Sequence, residues 1–388
     1  MSDSNRTQLY YLEEETWGTT PASAMTELRF TGESLSYDIS NATSDEIRSD
    51  RQITDLLQTG AEAGGGVNYE LSYGTYDSLL ESALFSTWTT AVSISGSGIS
   101  ANATENAVKA ASGLNTNVHA GQWIKMAGWT ATGNNTYGLV TSVKATSLVI
   151  AGGLTLTKEA AGNTITIASS GMLRNGTTEK SFTLERYHAD RTQFFSWTGM
   201  VVNTWSQSHS ASSKVTGSFA FIGEIGALAA TTVGTGAAGA ANTNPIINAA
   251  SDIGTILEGS TLAALSAGVY IQKIDLTLSN NLRGLKALGY LGSVDVGTGL
   301  CKVNGTLDPY FYDNTYYDKY LAGTATGLSW RITDSSGNVY IYTIHNAKIE
   351  TDKINSGGGN QDVMENIGWH AIRHSTYDCT IQIDRFAA

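Results

Sequence analysis

The sequence predicts a mainly β chain in which one antiparallel β unit occurs twice. Each copy carries a short flanking helix, and the first is interrupted by a small inserted β domain. Three observations lead there: strand-period alternation along most of the chain, an imperfect internal repeat, and a composition rich in small neutral residues. Only 15% of the 388 residues are charged, against roughly 25% in ordinary soluble domains. The 42 glycines and 3 prolines suit a turn-rich fold and not a proline-rich disordered tail.

In chain order, Val67, Tyr69, Leu71 and Tyr73 alternate with Asn68, Glu70 and Ser72, the pattern of a strand with one buried face. TYDSLLESALF, residues 75–85, puts Tyr76, Leu79, Leu80 and Leu84 on one stripe and predicts a helix. ILEGSTLAAL, near 256–265, is a weaker helical candidate broken by Gly259. Ile274, Leu276 and Leu278 face away from Lys273, Asp275 and Thr277. Val339, Ile341 and Thr343 alternate with Tyr340, Tyr342 and Ile344, so that strand is expected to be covered on both faces. Cys379, Ile381 and Ile383 alternate with Thr380, Gln382 and Asp384 in a closing strand with one buried face. Gly64–Gly66 and Gly357–Gly359 read as hairpin turns.

Residues 36–84 and 272–322 repeat one order: strand, polar loop with an arginine (Arg51, Arg283), glycine-rich turn, alternating strand, and a helix opening on Tyr-Asp. The segments that follow, from 179 and from 326, also match element by element. The expected plan is a first copy over 1–89 and 172–224, an insert over 90–171, an Ala/Gly/Thr linker over 225–250 and a second copy over 251–388. The linker is apolar enough to lie against a neighbouring surface. Trp123, Ile124, Val140, Val143, Leu148, Ile150, Ile165 and Ile167 are expected to fill the insert's core. Exposed loops tolerate such insertions because the host core stays intact.

The net charge of −12, with no Lys/Arg cluster, excludes a nucleic-acid-binding footprint. No basic start leads into an apolar run, and no stretch reaches membrane-spanning length, so neither export nor membrane insertion is expected. Cys301 and Cys379 fit no zinc or redox spacing and read as free thiols. No catalytic or cofactor pattern emerges, and neither a metal, a cofactor nor an enzyme activity is expected. His370 and His374 lack an accompanying Glu, Ser97 lacks a strand-to-helix elbow, and no phosphate loop is present. Arg48 and Arg51 stand among Asp45, Glu46, Asp50 and Asp55. They read either as locally paired surface ions or as clasps between subunits. Long hairpins with joinable strand edges favour assembly; the alternative is a surface-exposed adhesion or glycan-binding β protein.

The run Ser44, Glu46, Ile47, Arg48, Asp50, Arg51, the glycines 64–66 and the helix from Tyr76 occur in an order and spacing that resemble the tail tube (major tail) proteins of long-tailed, non-contractile bacteriophages. Residues from about 268 onward resemble the second copy in duplicated-domain members. The resemblance implies that each copy is a β-sandwich or β-barrel with a flanking short helix, and that the chain forms trimeric rings with pseudo-sixfold symmetry, stacked into a hollow virion tail tube and made in the host cytoplasm. Its implied partners are further copies of itself, the tape measure protein, the tail tip and tail terminator proteins, and double-stranded DNA in transient, non-specific passage. Ring or stacking candidates are Glu46, Arg48, Asp50, Arg51, Asp55 and Arg283. Lumen-facing candidates are Asp50, Asp55 and Asp275, on an inner surface expected to be acidic. The insert is expected to face outward, and the loops 39–66 and 280–298 to order on stacking.

Overall fold

The computed structural model describes residues 3–388, and the protein is mainly β with two α-helices. The strands of the first half that recur in the second are β1 (Thr7–Glu13), β2 (Ser36–Thr43), β3 (Leu56–Glu70), β4 (Phe182–His188), β5 (Gln193–Ser210), β6 (Thr216–Gly223) and β7 (Ile225–Ala229). Their counterparts, in the same order, are β8 (Ile253–Glu258), β9 (Ile271–Ser279), β10 (Lys302–Pro309), β11 (Ala325–Thr333), β12 (Val339–Ser356), β13 (Val363–Ala371) and β14 (Gln382–Phe386). Helix α1 (Asp77–Leu84) follows β3, and α2 (Thr315–Ala322) follows β10. These seven strands and the helix recur in the same order in the two halves, but the counterpart of Gln382–Phe386 is Ile225–Ala229 in the expected linker.

Each half folds as two sheet layers. In the outer layer β1 pairs with β4, β4 with β5, and β5 with β7; β8, β11, β12 and β14 repeat that order. The inner layer runs β2-β3-β6-β5-β9-β10-β13-β12, antiparallel throughout. The 18-residue strands β5 and β12 serve both layers, each bending at a bulge, between Val202 and Thr204 and between Ile349 and Thr351. A bulge inserts one residue and turns the strand locally, which lets a single strand pass from one layer to the other. One continuous core lies between the layers and includes Tyr69, Trp205, Phe219, Trp330, Tyr342 and Ile383.

Helix α1 forms over the predicted stripe, with Leu79, Leu80, Ala83 and Leu84 buried, and ends at Phe85 in the left-handed region (φ 50°). Helix α2 ends the same way at Gly323 (φ 60°), where glycine carries no Cβ penalty. Residues 256–265 are not helical. They form β8 and a short return strand, Ala263–Ala264, because Gly259 at φ 93° makes a tight turn. Gly64–Gly66 are not a turn either and lie inside β3. A Cβ on Gly65 would sit 2.3 Å from the Ser34 carbonyl oxygen, so close backbone approach explains the glycine. The turn lies further out, at 44–55, and much of the expected 39–66 loop is a long β2–β3 arm. Gly357–Gly359 do connect two strands, β12 and β13. The segment expected as a linker begins with β7 and then runs along the first half, where Arg29 Nη1 donates to the Asn244 carbonyl (2.7 Å) and Ile247 is buried.

Residues 93–169 form a separate seven-stranded sheet whose core holds Ile124, Val140, Leu148, Ile150, Ile165 and Ile167, with Val143 packed against it. Trp123 departs from the expected role. It packs with Leu257, Ile341 and Phe386 of the second half, and its indole N–H donates to Thr343 Oγ1 (3.0 Å). The polar face of β14 is therefore covered, contrary to the one-sided pattern expected there. Gln382 and Asp384 are fully buried. Asp384 accepts from Ser170 Oγ (2.5 Å) and the Trp123 N–H (3.2 Å), while Gln382 Nε2 donates to the Gly121 carbonyl (2.6 Å). Burial pushes the Asp384 carboxyl up to about 6 against these hydrogen bonds. Trp123→Ala is expected to remove about 3–5 kcal/mol of packing and release the insert. Limited proteolysis should then cut the junctions near 90 and 170 in the variant well before the wild type, with the inner-sheet strands still protected in hydrogen exchange.

Candidate assembly surface

The alternation that buries Ile274, Leu276 and Leu278 puts Lys273, Asp275 and Thr277 on the opposite, open face of the inner sheet. Ser206, Ser208, Thr216, Ser218 and Asn68 share that face with them. Asp275 accepts from Ser208 Oγ (2.6 Å) and Thr306 Oγ1 (3.2 Å) and pairs with Lys273 Nζ (2.5 Å). Burial alone would raise its pKa, but Lys273 and the two hydroxyls outweigh burial and hold Asp275 below the usual carboxylate range. Beside it, Lys214 pairs with Glu70 and Asn366 Nδ2 donates to Asp308 (2.5 Å). This face is hydroxyl-rich with charges of both signs.

The other candidates lie elsewhere. Glu46, Arg48, Asp50, Arg51 and Asp55 occupy the exposed tip of the β2–β3 arm. Arg48 clasps Asp50 within the chain, Nη2 to Oδ2 at 2.8 Å and Nε to Oδ1 at 3.0 Å, and this pairing lowers the Asp50 pKa. Arg51 sits at φ 56° in the turn, and Ser44 N–H donates to the Asp55 carbonyl (3.0 Å), closing it. Arg283 lies in a short ladder, Arg283–Leu285 with Asp295–Gly297, and lines a cavity with Asp38 and Glu62. The acidic residues lining that cavity, Asp38 and Glu62, come from the first half. Asp50 and Asp55 share the arm tip, whereas Asp275 stands on the open sheet face.

Three features escaped the sequence reading. The first is apolar exposure on the arm, where Ile47 and Ile53 are 102% and 71% exposed beside exposed Leu56 and Leu57. Leu56–Leu57 at the start of a strand was a usable signal. The second is a pair of open strand edges, on β2 and on β12 beyond Lys348, which depends on topology that no local pattern encodes. The third is a carboxyl pair at the β12 edge. Glu365 is 1% exposed, and neither its Oε1 nor either oxygen of Asp352 has a hydrogen-bond partner among the described residues. Burial, then the neighbouring Asp352, pushes the Glu365 carboxyl up to about 8.

Among the described residues no helix is long and apolar enough to cross a membrane, and no group of three or more His, Cys, Asp or Glu side chains is placed to hold a metal ion. Cys301 and Cys379 are free thiols, and burial pushes both up to about 11. A two-layer β chain with open sheet edges and an exposed apolar arm is organised as a structural assembly subunit. A family model described as phage tail tube protein matches residues 4–371, and the chain belongs to that family: a structural protein of the virion tail that self-assembles into a tube. No curated protein matches the chain.

The carboxyl pair has a pH signature. Glu365 has a folded pKa above its unfolded value, so folding stability falls as pH rises from the ordinary carboxylate range through about 8, above which the loss is complete. Glu365→Gln removes that ionisation. Its thermal midpoint should match the wild type near the unfolded carboxylate pKa, exceed it increasingly as pH rises toward 8 and keep a constant margin above that, as read by calorimetry across pH.

Proposed function

We propose that three copies of this chain close into a ring of pseudo-sixfold symmetry, and that the rings stack into the hollow tail tube. The observation that carries the reading is the seam between β5 and β9. It sets two equivalent four-stranded units side by side in one sheet and leaves an open edge at each end. A head-to-tail contact repeated with rotation closes a ring. The hydroxyl-rich face then lines the bore, accommodating the tape measure protein and later the DNA without a basic surface to hold phosphates. The copies over 1–89 with 172–224 and over 251–388 are the ring units, and the insert over 90–171 faces outward. Tail tip and tail terminator proteins bound the two ends.

Stacking works against charge. Three subunits carry 3 × −12 = −36, so ring-to-ring contact needs apolar burial, which Ile47, Ile53, Leu56 and Leu57 on the arm can supply. At about 25 cal/mol per Å² of apolar surface, repetition around a ring makes this a sizeable term. Arg48, Asp50 and Arg51 then give register between rings.

Negative-stain electron microscopy of the concentrated protein is expected to show hollow tubes or rings with threefold averages. A monomer that stays unassociated at high concentration and raised salt would count against the reading. Replacing residues 45–54 by Asn-Gly keeps the hairpin closed and should yield rings that do not stack; long tubes from that variant would remove the arm's assigned role.

A further inference from the structure

We infer that the edge of β12 pairs with the edge of β2 in the next copy of the chain, antiparallel, with Lys353 opposite Ser36. The inference rests on the ring reading and adds the partner strands and their register. It comes from using the internal seam as a template. Within the chain, β4 covers β5 only as far as Phe182 opposite Met200; β9 then takes over, with Thr204 opposite Ser279, Trp205 opposite Leu278 and Ser206 opposite Thr277. On the equivalent strand, β11 covers β12 only as far as Ala325 opposite Lys348, and no described strand takes over on that side. The edge of β2, the counterpart of β9, is likewise unpaired beyond β3.

The ladders fix the register. The bulges equate Thr204 with Thr351, and pairing across β6 and β13 equates Ala220 with Gly368. The next ladder equates Gly66 with Thr306. The last equates Ser36, Tyr37 and Asp38 with Thr277, Leu278 and Ser279. Transferring the internal seam therefore sets Thr351 opposite Asp38, Asp352 opposite Tyr37 and Lys353 opposite Ser36. Lys353 and Asp38 then fall on one face as diagonal neighbours of opposite charge, a favourable cross-strand arrangement. An unpaired strand edge left in this register is a row of unsatisfied backbone donors and acceptors that a matching strand completes.

The helices give independent support. At the internal seam α1 is covered by the second half. Asn280 Nδ2 donates to the Ala83 carbonyl (3.0 Å), Leu282 and Val296 pack on Phe85, and six consecutive residues, Leu79 to Leu84, are buried. In α2 only Tyr316 is buried, and Tyr317, Tyr320 and Leu321 are exposed. The helix beside the filled edge is covered and the helix beside the open edge is bare. The segment matching the one that covers α1 is the base of the β2–β3 arm, with exposed Ile39 and Leu57.

The test is disulfide trapping. Directly opposed residues have Cα atoms about 5 Å apart, within disulfide reach, whereas a four-residue slip moves them roughly 13 Å along the strand. Ser36→Cys with Lys353→Cys in the full-length chain, mildly oxidised after assembly, is expected to give a covalent closed trimer on a non-reducing gel. Each single variant, which retains Cys301 and Cys379, should give none, and neither should Ser40→Cys with Lys353→Cys. Rings or tubes by microscopy without the Ser36/Lys353 crosslink, or with the Ser40/Lys353 crosslink in its place, would overturn the register and leave the tube reading standing. If the wild type forms neither rings nor tubes, the ring reading itself fails and the seam with it.

Discussion

The ladder between β5 and β9 is the contact on which the rest of the subunit depends. It joins the halves by backbone hydrogen bonds along Thr204–Ser210 and Lys273–Ser279, and a single core lies beneath it. Trp205 Nε1 donates to Tyr69 Oη (2.8 Å) and Trp330 Nε1 to His209 Nε2 (3.2 Å), while the Trp330 and Tyr342 rings stack at 5.3 Å between centroids. Burial pushes His209 down to about 3, so it stays neutral and can accept the indole proton. Side chains from both halves interlock there, so the halves act as one rigid block and not as hinged domains. A tube that must hold its bore open under load requires that stiffness.

Much of this was legible in the sequence because strands with one buried face write their period directly. The alternation at 273–278, the α1 stripe and the matched order of the halves are local patterns, and the structure keeps them. The failures share a physical origin. Gly64–Gly66 carry a turn signature, but Gly65 is required by the approach of the Ser34 backbone, from 31 residues away in sequence. Gln382 and Asp384 look solvent-facing because a period-two pattern cannot know that the insert will cover that face. Of the candidate site residues, Arg48 and Asp50 were placed correctly on an exposed loop, since charge density marks surface. Asp275 was legible as lying on the open face, but not its neutralisation by Lys273, a neighbour two residues away whose proximity depends on strand twist and hydroxyl placement.

The insert is tied down by a different logic from the seam. Trp123 supplies the apolar contact, and a closed polar set of Asp384, Gln382 and Ser170 supplies direction. A buried carboxyl without a cationic partner is tolerated because three donors reach it, the condition under which a buried polar group stops being a net liability. The insert is therefore fixed in orientation relative to β12 and β14, and whatever its outer surface meets is presented at a set angle on every subunit.

Duplication within one chain lets the two kinds of seam diverge. Equivalent positions make the point: where the seam strand β5 has Trp205, fully buried, the edge strand β12 has Asp352, and where the adjoining strand β6 has Gly217, its counterpart β13 has Glu365. The internal seam forms once, during folding, and gains from an apolar side chain that never has to be exposed. In the proposed ring the edge would have to stay soluble until a second copy arrives, and a bare tryptophan there would invite indiscriminate pairing. The Asp352 and Glu365 carboxyl oxygens beside that edge are themselves out of water, and the Asp352 carboxylate opposes ionisation of Glu365. In the proposed seam a second copy would supply a complete backbone ladder and cover for α2. An incomplete or slipped partner in that proposed seam would supply neither, so the ladder and the helix cover together would favour one register.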